Sequence, residues 1–152
     1  MILQAITYAL HVLAAALWVG GMFFAWAVLR PASAALPPPQ RLRLWWQVLG
    51  CFFNWVWAAL VLLPATGLMV LQGRFNGFET APRYVQWMIG GYIVMAAVFL
   101  RLYALGLPRL GEAVAAEDWP AAAKALAQVR RWVALNLALG VVIMAAAAAR
   151  LH

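Results

Sequence analysis

Four long apolar stretches, nearly free of charge, constrain the fold of this chain more than any other feature. They cover about residues 2–29, 44–71, 84–107 and 132–149. Each is long enough to cross a bilayer as a helix, which needs about 20 residues. Membrane strands are shorter and alternate strictly between apolar and polar residues, which these stretches do not. The sequence therefore predicts an all-α integral membrane protein, a four-helix transmembrane bundle that forms a single domain over residues 1–152.

Composition supports a membrane protein and excludes most soluble classes. Hydrophobic residues make up 68% of the chain and charged residues 10%, against about 45–50% and about 25% in soluble domains. The net charge of +7 does not indicate nucleic-acid binding, because the cations are sparse and flank the apolar stretches. The single cysteine, Cys51, excludes an internal disulfide and a multi-cysteine zinc site. The lipid bilayer is therefore the expected partner, and nucleic acid is not.

Prolines mark the expected boundaries of the helices. Pro31 and Pro108 are expected to end the first and third helices, because the residue before a proline avoids the α conformation. The prolines at 37–39 are expected to open the second helix, and Pro64 is expected to kink it. Asp118 is typical of an N-cap for a helix that leads into the fourth span.

Cations are divided unequally between the two ends of the predicted bundle. The loops after the first and third spans hold seven of them: Arg30, Arg41, Arg43, Arg109, Lys124, Arg130 and Arg131. The opposite end holds three: Arg74, Arg83 and Arg150. Because cytoplasmic loops carry the excess of Lys and Arg, we expect both termini to face outward, which is the periplasm in a bacterium.

A polar face on the first span is the strongest candidate for a site. Gln4, His11 and Trp18 are seven residues apart, so they share one face of a helix. Polar groups in hydrocarbon are costly, and this face is therefore expected to point into the bundle. His11 is suited to ligate a metal or haem or to carry a proton. The alternative is a histidine that only hydrogen-bonds between helices.

Three methionines are predicted in the same half of the bundle, namely Met69, Met88 and Met144. Thioether and imidazole groups together suit Cu(I), and the same pair is able to ligate haem iron. The alternative is that each methionine is ordinary apolar filler. A bis-histidine haem site within one chain is not expected, because the other histidine, His152, ends the chain outside the fourth span.

Arg101 is a cation inside the predicted third span, where an unpaired charge is costly. Asn54 in the second span and Asn136 in the fourth lie at a similar predicted depth. We therefore expect a buried cluster of these three residues that binds an anionic group, such as a haem propionate or a lipid phosphate. The alternative is an arginine whose side chain extends to the headgroups.

Two segments resemble those of a known family. Residues 9–32, ALHVLAAALWVGGMFFAWAVLRPA, contain a histidine, a tryptophan seven residues later and a glycine pair, as in CopD-like membrane proteins. Residues 112–140, EAVAAEDWPAAAKALAQVRRWVALNLALG, are similar to the last loop and helix of small CopD-like proteins. The first motif is also loosely similar to the HemJ-type protoporphyrinogen oxidases, small four-helix proteins that bind haem b.

This resemblance implies a bacterial inner-membrane protein concerned with copper or haem b, with His11 as its principal ligand. Three functions stay open: a haem- or copper-binding protein, a HemJ-like porphyrinogen oxidoreductase, and a non-catalytic subunit that packs on a larger membrane partner. Homo-oligomers stay open as well. The candidate cofactor-binding residues are His11, Trp18, Arg101, Asn54 and Asn136, and the candidate metal ligands are His11, Met69, Met88 and Met144.

Overall fold

A computed structural model of the protein describes residues 1–149, so Arg150 and His152 lie outside the described residues. Within them the chain forms four long helices and no strand. Each helix is long and apolar enough to cross a membrane, which confirms the predicted all-α bundle. The helices are α1 (Ile2–Ser33), α2 (Pro38–Phe75), α3 (Arg83–Ala115) and α4 (Trp119–Ala149).

The bundle consists of two antiparallel helix pairs. Helix α1 packs mainly on α2, and α3 packs mainly on α4, whereas contacts between the two pairs are fewer. The loops after α1 and α3 lie together at one end, which we call the arginine-rich end. The opposite end holds the start of α1 and the loop between α2 and α3, and we call it the N-terminal end.

Helices α1 and α3 continue past Pro31 and Pro108, so the ends predicted at these prolines are wrong. A π-helical turn comes shortly before each proline, over Ala25–Leu29 in α1 and Leu102–Gly106 in α3. A proline ring in an α-helix clashes with the carbonyl four residues earlier. The wider π turn makes room at that carbonyl. Both helices therefore run on to the bounds given above.

Aromatic side chains from three helices form the centre of the core. The Phe99 ring of α3 is 2% exposed and meets Trp18, Phe53 and Trp57 edge to face. The ring centroids are 6.2, 5.3 and 5.4 Å from that of Phe99. Edge-to-face contact is the favoured geometry for aromatic pairs. This cluster joins the two helix pairs at mid-length.

A proline within α2 is compensated by a tyrosine from the neighbouring pair. Pro64 has no backbone N–H, so it cannot donate to the Leu60 carbonyl four residues earlier. The Tyr92 hydroxyl of α3 donates to that carbonyl at 2.7 Å. Neighbouring helices commonly satisfy the groups that a proline frees in a membrane. Helix α2 is thus continuous across Pro64, and the kink expected there stays a prediction.

Tyr92→Phe is expected to lower the free energy of unfolding by about 1–2 kcal/mol, because the Leu60 carbonyl would lose its donor in an apolar environment. The measurement is equilibrium unfolding of the purified protein in mixed detergent micelles. Tyr103→Phe is the matched control, with no loss expected. In a Pro64→Ala background a backbone N–H again reaches Leu60, so the effect of Tyr92→Phe should shrink. An equal loss in both backgrounds would contradict this role for Tyr92.

Candidate ligand site around His11

Polar contacts join α1 to α2 towards the N-terminal end. Gln4 Nε2 donates to the Gly73 carbonyl at 3.3 Å, and His11 Nδ1 lies 2.9 Å from Thr66 Oγ1. Seven residues separate the two contacts on each helix, so the antiparallel register is constant between them. Gln4 and His11 of the predicted face therefore point towards α2, whereas Trp18 meets Tyr92 and Phe99 of α3.

The hydrogen bonds around Thr66 favour one tautomer of the neutral His11 ring. The Thr66 hydroxyl has one proton, and it donates that proton to the Leu62 carbonyl at 2.5 Å. Thr66 Oγ1 is then left to accept, so we assign the proton of the neutral imidazole to Nδ1, which donates to it. Nε2 keeps its lone pair. Metal-binding histidines show this arrangement, in which one nitrogen is oriented by a hydrogen bond and the other meets the ligand.

The imidazole packs directly against the backbone of α2. A Cβ added to Gly67 would lie 3.2 Å from His11 Cε1, so a glycine at this position gives the ring its space. Two turns further along α1, Trp18 is buried, and its ring meets Tyr92 edge to face at 6.4 Å between centroids. Trp18 is therefore part of the aromatic core. The His11 ring itself is half-buried.

The three candidate methionines are spread over the bundle. Met69 on α2 is 50% exposed and Met144 on α4 is 37% exposed, whereas Met88 on α3 is half-buried. None of them is hydrogen-bonded to His11 in the part of the chain that the structure describes. Over residues 1–149, no three His, Cys, Asp or Glu side chains are grouped to hold a metal ion. The described residues thus offer one imidazole that a hydrogen bond orients.

The expected cluster of Arg101, Asn54 and Asn136 does not form as a hydrogen-bonded unit. The Arg101 guanidinium lies over the Trp132 ring of α4, 5.3 Å from its centroid. Asn54 is exposed. Asn136 is buried and donates from Nδ2 to the Met95 carbonyl at 3.3 Å, and its Oδ1 has no partner among the described residues. Similar depth in the bundle therefore did not bring these side chains together.

Most of the chain matches a known family of proteins. Residues 46–150 match the CopD family, described as copper resistance protein D. A comparison with curated proteins and one with solved structures gave no match, and a similarity to HemJ-type oxidases is not shown. The match begins within α2, so it includes Thr66 but not His11. Because it takes in more than two thirds of the 152 residues, the chain belongs to the CopD family and is a multi-pass membrane protein related to copper resistance.

Proposed function

We propose that this protein binds copper as its cargo within the bilayer, with His11 Nε2 as the principal ligand. The observation that carries the proposal is the hydrogen bond between His11 Nδ1 and Thr66, which leaves Nε2 able to bind a metal. Membership of a copper-resistance family supports copper as the metal. Imidazole is among the ligands that copper prefers.

Cu(I) is the form of copper that this half of the bundle favours, because thioethers are soft ligands that select it. Met69 follows Thr66 by three residues, which puts both side chains on neighbouring positions of one side of α2. We therefore propose Met69 as the second ligand once an ion is bound at His11. Met88 and Met144 lie on α3 and α4, and we propose them as ligands only for an ion that enters or leaves this site.

Haem b has less support than copper. The family match relates the chain to copper resistance and gives no support for haem. A Soret band in the detergent-purified protein would overturn the copper proposal. Rescue of a strain that lacks protoporphyrinogen oxidase would favour the HemJ-like enzyme, and a chain that binds neither copper nor haem would favour the partner subunit.

We further propose that the protein lies in a bacterial inner membrane with both termini in the periplasm. The support is the seven-to-three division of cations between the two ends of the bundle. His11 would then be reached from the periplasmic side. A C-terminal reporter fusion that is active only in the cytoplasm would contradict this orientation.

Thr66→Val is expected to weaken Cu(I) binding by about 10- to 100-fold, because loss of a partner that orients a ligating histidine has an effect of that size. Thr66→Ser keeps the hydroxyl and should retain the affinity. The measurement is anaerobic competition with a chromophoric Cu(I) chelator in detergent.

The matched control is Thr7→Val on α1. Thr7 is buried, and its hydroxyl also donates within its own helix, to the Leu3 carbonyl at 2.9 Å, but it is not bonded to His11. If Thr7→Val and Thr66→Val weaken Cu(I) binding equally, the hydrogen bond to His11 is not what orients the ligand.

A further inference from the structure

A cavity of about 380 Å³ opens at the arginine-rich end, where α1, α2 and α4 meet. Each helix contributes one arginine to its lining: Arg30 from α1, Arg41 from α2 and Arg130 from α4. Small residues, among them Ala34 and Ala123, line part of the remaining wall. The cavity therefore has room for a small polar group and brings three cations to it.

No carboxylate lines this cavity to balance the three cations. The chain has four acidic residues. Glu117 pairs with Arg43 at 2.9 Å, and Asp118 accepts a backbone N–H at the start of α4 at 3.0 Å. Glu79 and Glu112 do not contribute to the lining either. Arg30 and Arg41 are close enough to repel Arg130 electrostatically, so an anion between them would be stabilised by all three.

Packing holds the walls of the cavity in place. The Arg130 guanidinium lies over the ring of Trp45, 5.9 Å from its centroid. Trp45 is buried, and its indole N–H donates to Ser33 Oγ at 2.9 Å. The Ser33 hydroxyl donates in turn to the Arg30 carbonyl at 3.2 Å. A chain of contacts thus links the helix segments that carry Arg130 and Arg30.

We infer that this cavity binds a phosphate group, carried either by an anionic phospholipid or by a free phosphate ion. Guanidinium groups match phosphate oxygens in shape and charge and bind them with two parallel hydrogen bonds. Basic pockets between transmembrane helices are suited to lipid headgroups. The site is independent of the copper proposal, because its residues lie at the end of the bundle opposite to His11.

The test is native mass spectrometry of the full chain in non-ionic detergent, titrated with phosphatidylglycerol or with phosphatidylcholine. Arg41→Gln and Arg130→Gln are each expected to weaken phosphatidylglycerol binding by about tenfold. Arg131→Gln is the matched control, because this neighbour is exposed and lies outside the cavity lining; its effect should stay below about twofold. Ala34→Leu should also weaken binding, since it fills the cavity and leaves every charge in place.

Competition with millimolar inorganic phosphate distinguishes the two sources. Phosphatidylglycerol that stays bound supports a lipid site, and displacement by phosphate supports a site for the free ion. Thermal unfolding in phosphatidylcholine alone verifies that each variant is folded. Equal losses for Arg130→Gln and Arg131→Gln would overturn the inference, because they would indicate surface charge alone. Absence of both a preference for phosphatidylglycerol and phosphate binding would overturn it as well.

Discussion

Replacement of His11 by alanine is expected to abolish Cu(I) binding while the bundle stays folded. His11 supplies the oriented imidazole of the α1–α2 interface, and its loss should cost more than the roughly 10- to 100-fold expected for a residue that only orients a ligand. The fold should tolerate the change, because the Thr66 hydroxyl keeps its bond to the Leu62 carbonyl. The loss of one interhelical hydrogen bond should lower stability by about 1–2 kcal/mol.

The experiment measures Cu(I) affinity by chelator competition and stability by thermal unfolding on the same samples. His152→Ala is the control, since it removes the other histidine of the sequence, and it should leave the affinity unchanged. Unaltered copper binding in His11→Ala would rule out His11 as the principal ligand. If His11→Ala is less stable, and neither it nor the unmodified protein binds copper, His11 is instead a residue that only packs two helices together.

Phe99→Ala is expected to lower the free energy of unfolding by about 3–5 kcal/mol, the largest stability effect of any substitution considered for this chain. The ring is 2% exposed and contacts Trp18 of α1 as well as Phe53 and Trp57 of α2. Removal would leave a cavity at the point where the two helix pairs meet. Lipid does not refill a space enclosed by the helices, so the lost packing is not recovered.

Phe24→Ala is the matched control, because the same atoms are removed from a side chain that is 53% exposed on the outer surface of the bundle. The change there should be within about 0.5 kcal/mol. Equilibrium unfolding in mixed micelles measures both variants. Similar losses at the two positions would mean that helix packing through the aromatic cluster contributes little to the stability of the bundle.

The membrane class and the four spans are predictable from the sequence because they depend on hydropathy alone. The ends of α1 and α3 are not. Pro31 and Pro108 give the normal signal for a helix end, and only the π turns that precede them allow the helix to continue. No composition pattern in these two short stretches distinguishes a π turn from an α turn.

The polar contacts show which part of a site a single sequence is able to define. Spacing by seven residues was enough to put Gln4 and His11 on the face towards α2. Depth along the helix does not predict which way Asn54 faces, because the direction of a side chain depends on its position around the helix axis. The buried face of α2 at that level contains Phe53 and Val56, and this apolar spacing leaves Asn54 on the outside.

The sequence analysis does not predict the partner of the Leu60 carbonyl, although the sequence contains a signal for it. Any proline well inside a membrane span frees a carbonyl, and a donor is then needed on a neighbouring helix. Pro64 is such a proline, and Tyr92 is a hydroxyl-bearing residue of the following span. Which helix faces that carbonyl depends on how the two pairs pack, and that information lies in the structure.

The division of the bundle into two antiparallel pairs has a mechanical consequence. His11 and Thr66 belong to the same pair, so rigid-body rocking of one pair against the other would leave the tautomer of the imidazole unchanged. Arg30 and Arg41 belong to that pair as well, but Arg130 belongs to the other. An anion bound by these three arginines would connect the two pairs and so oppose their motion relative to each other.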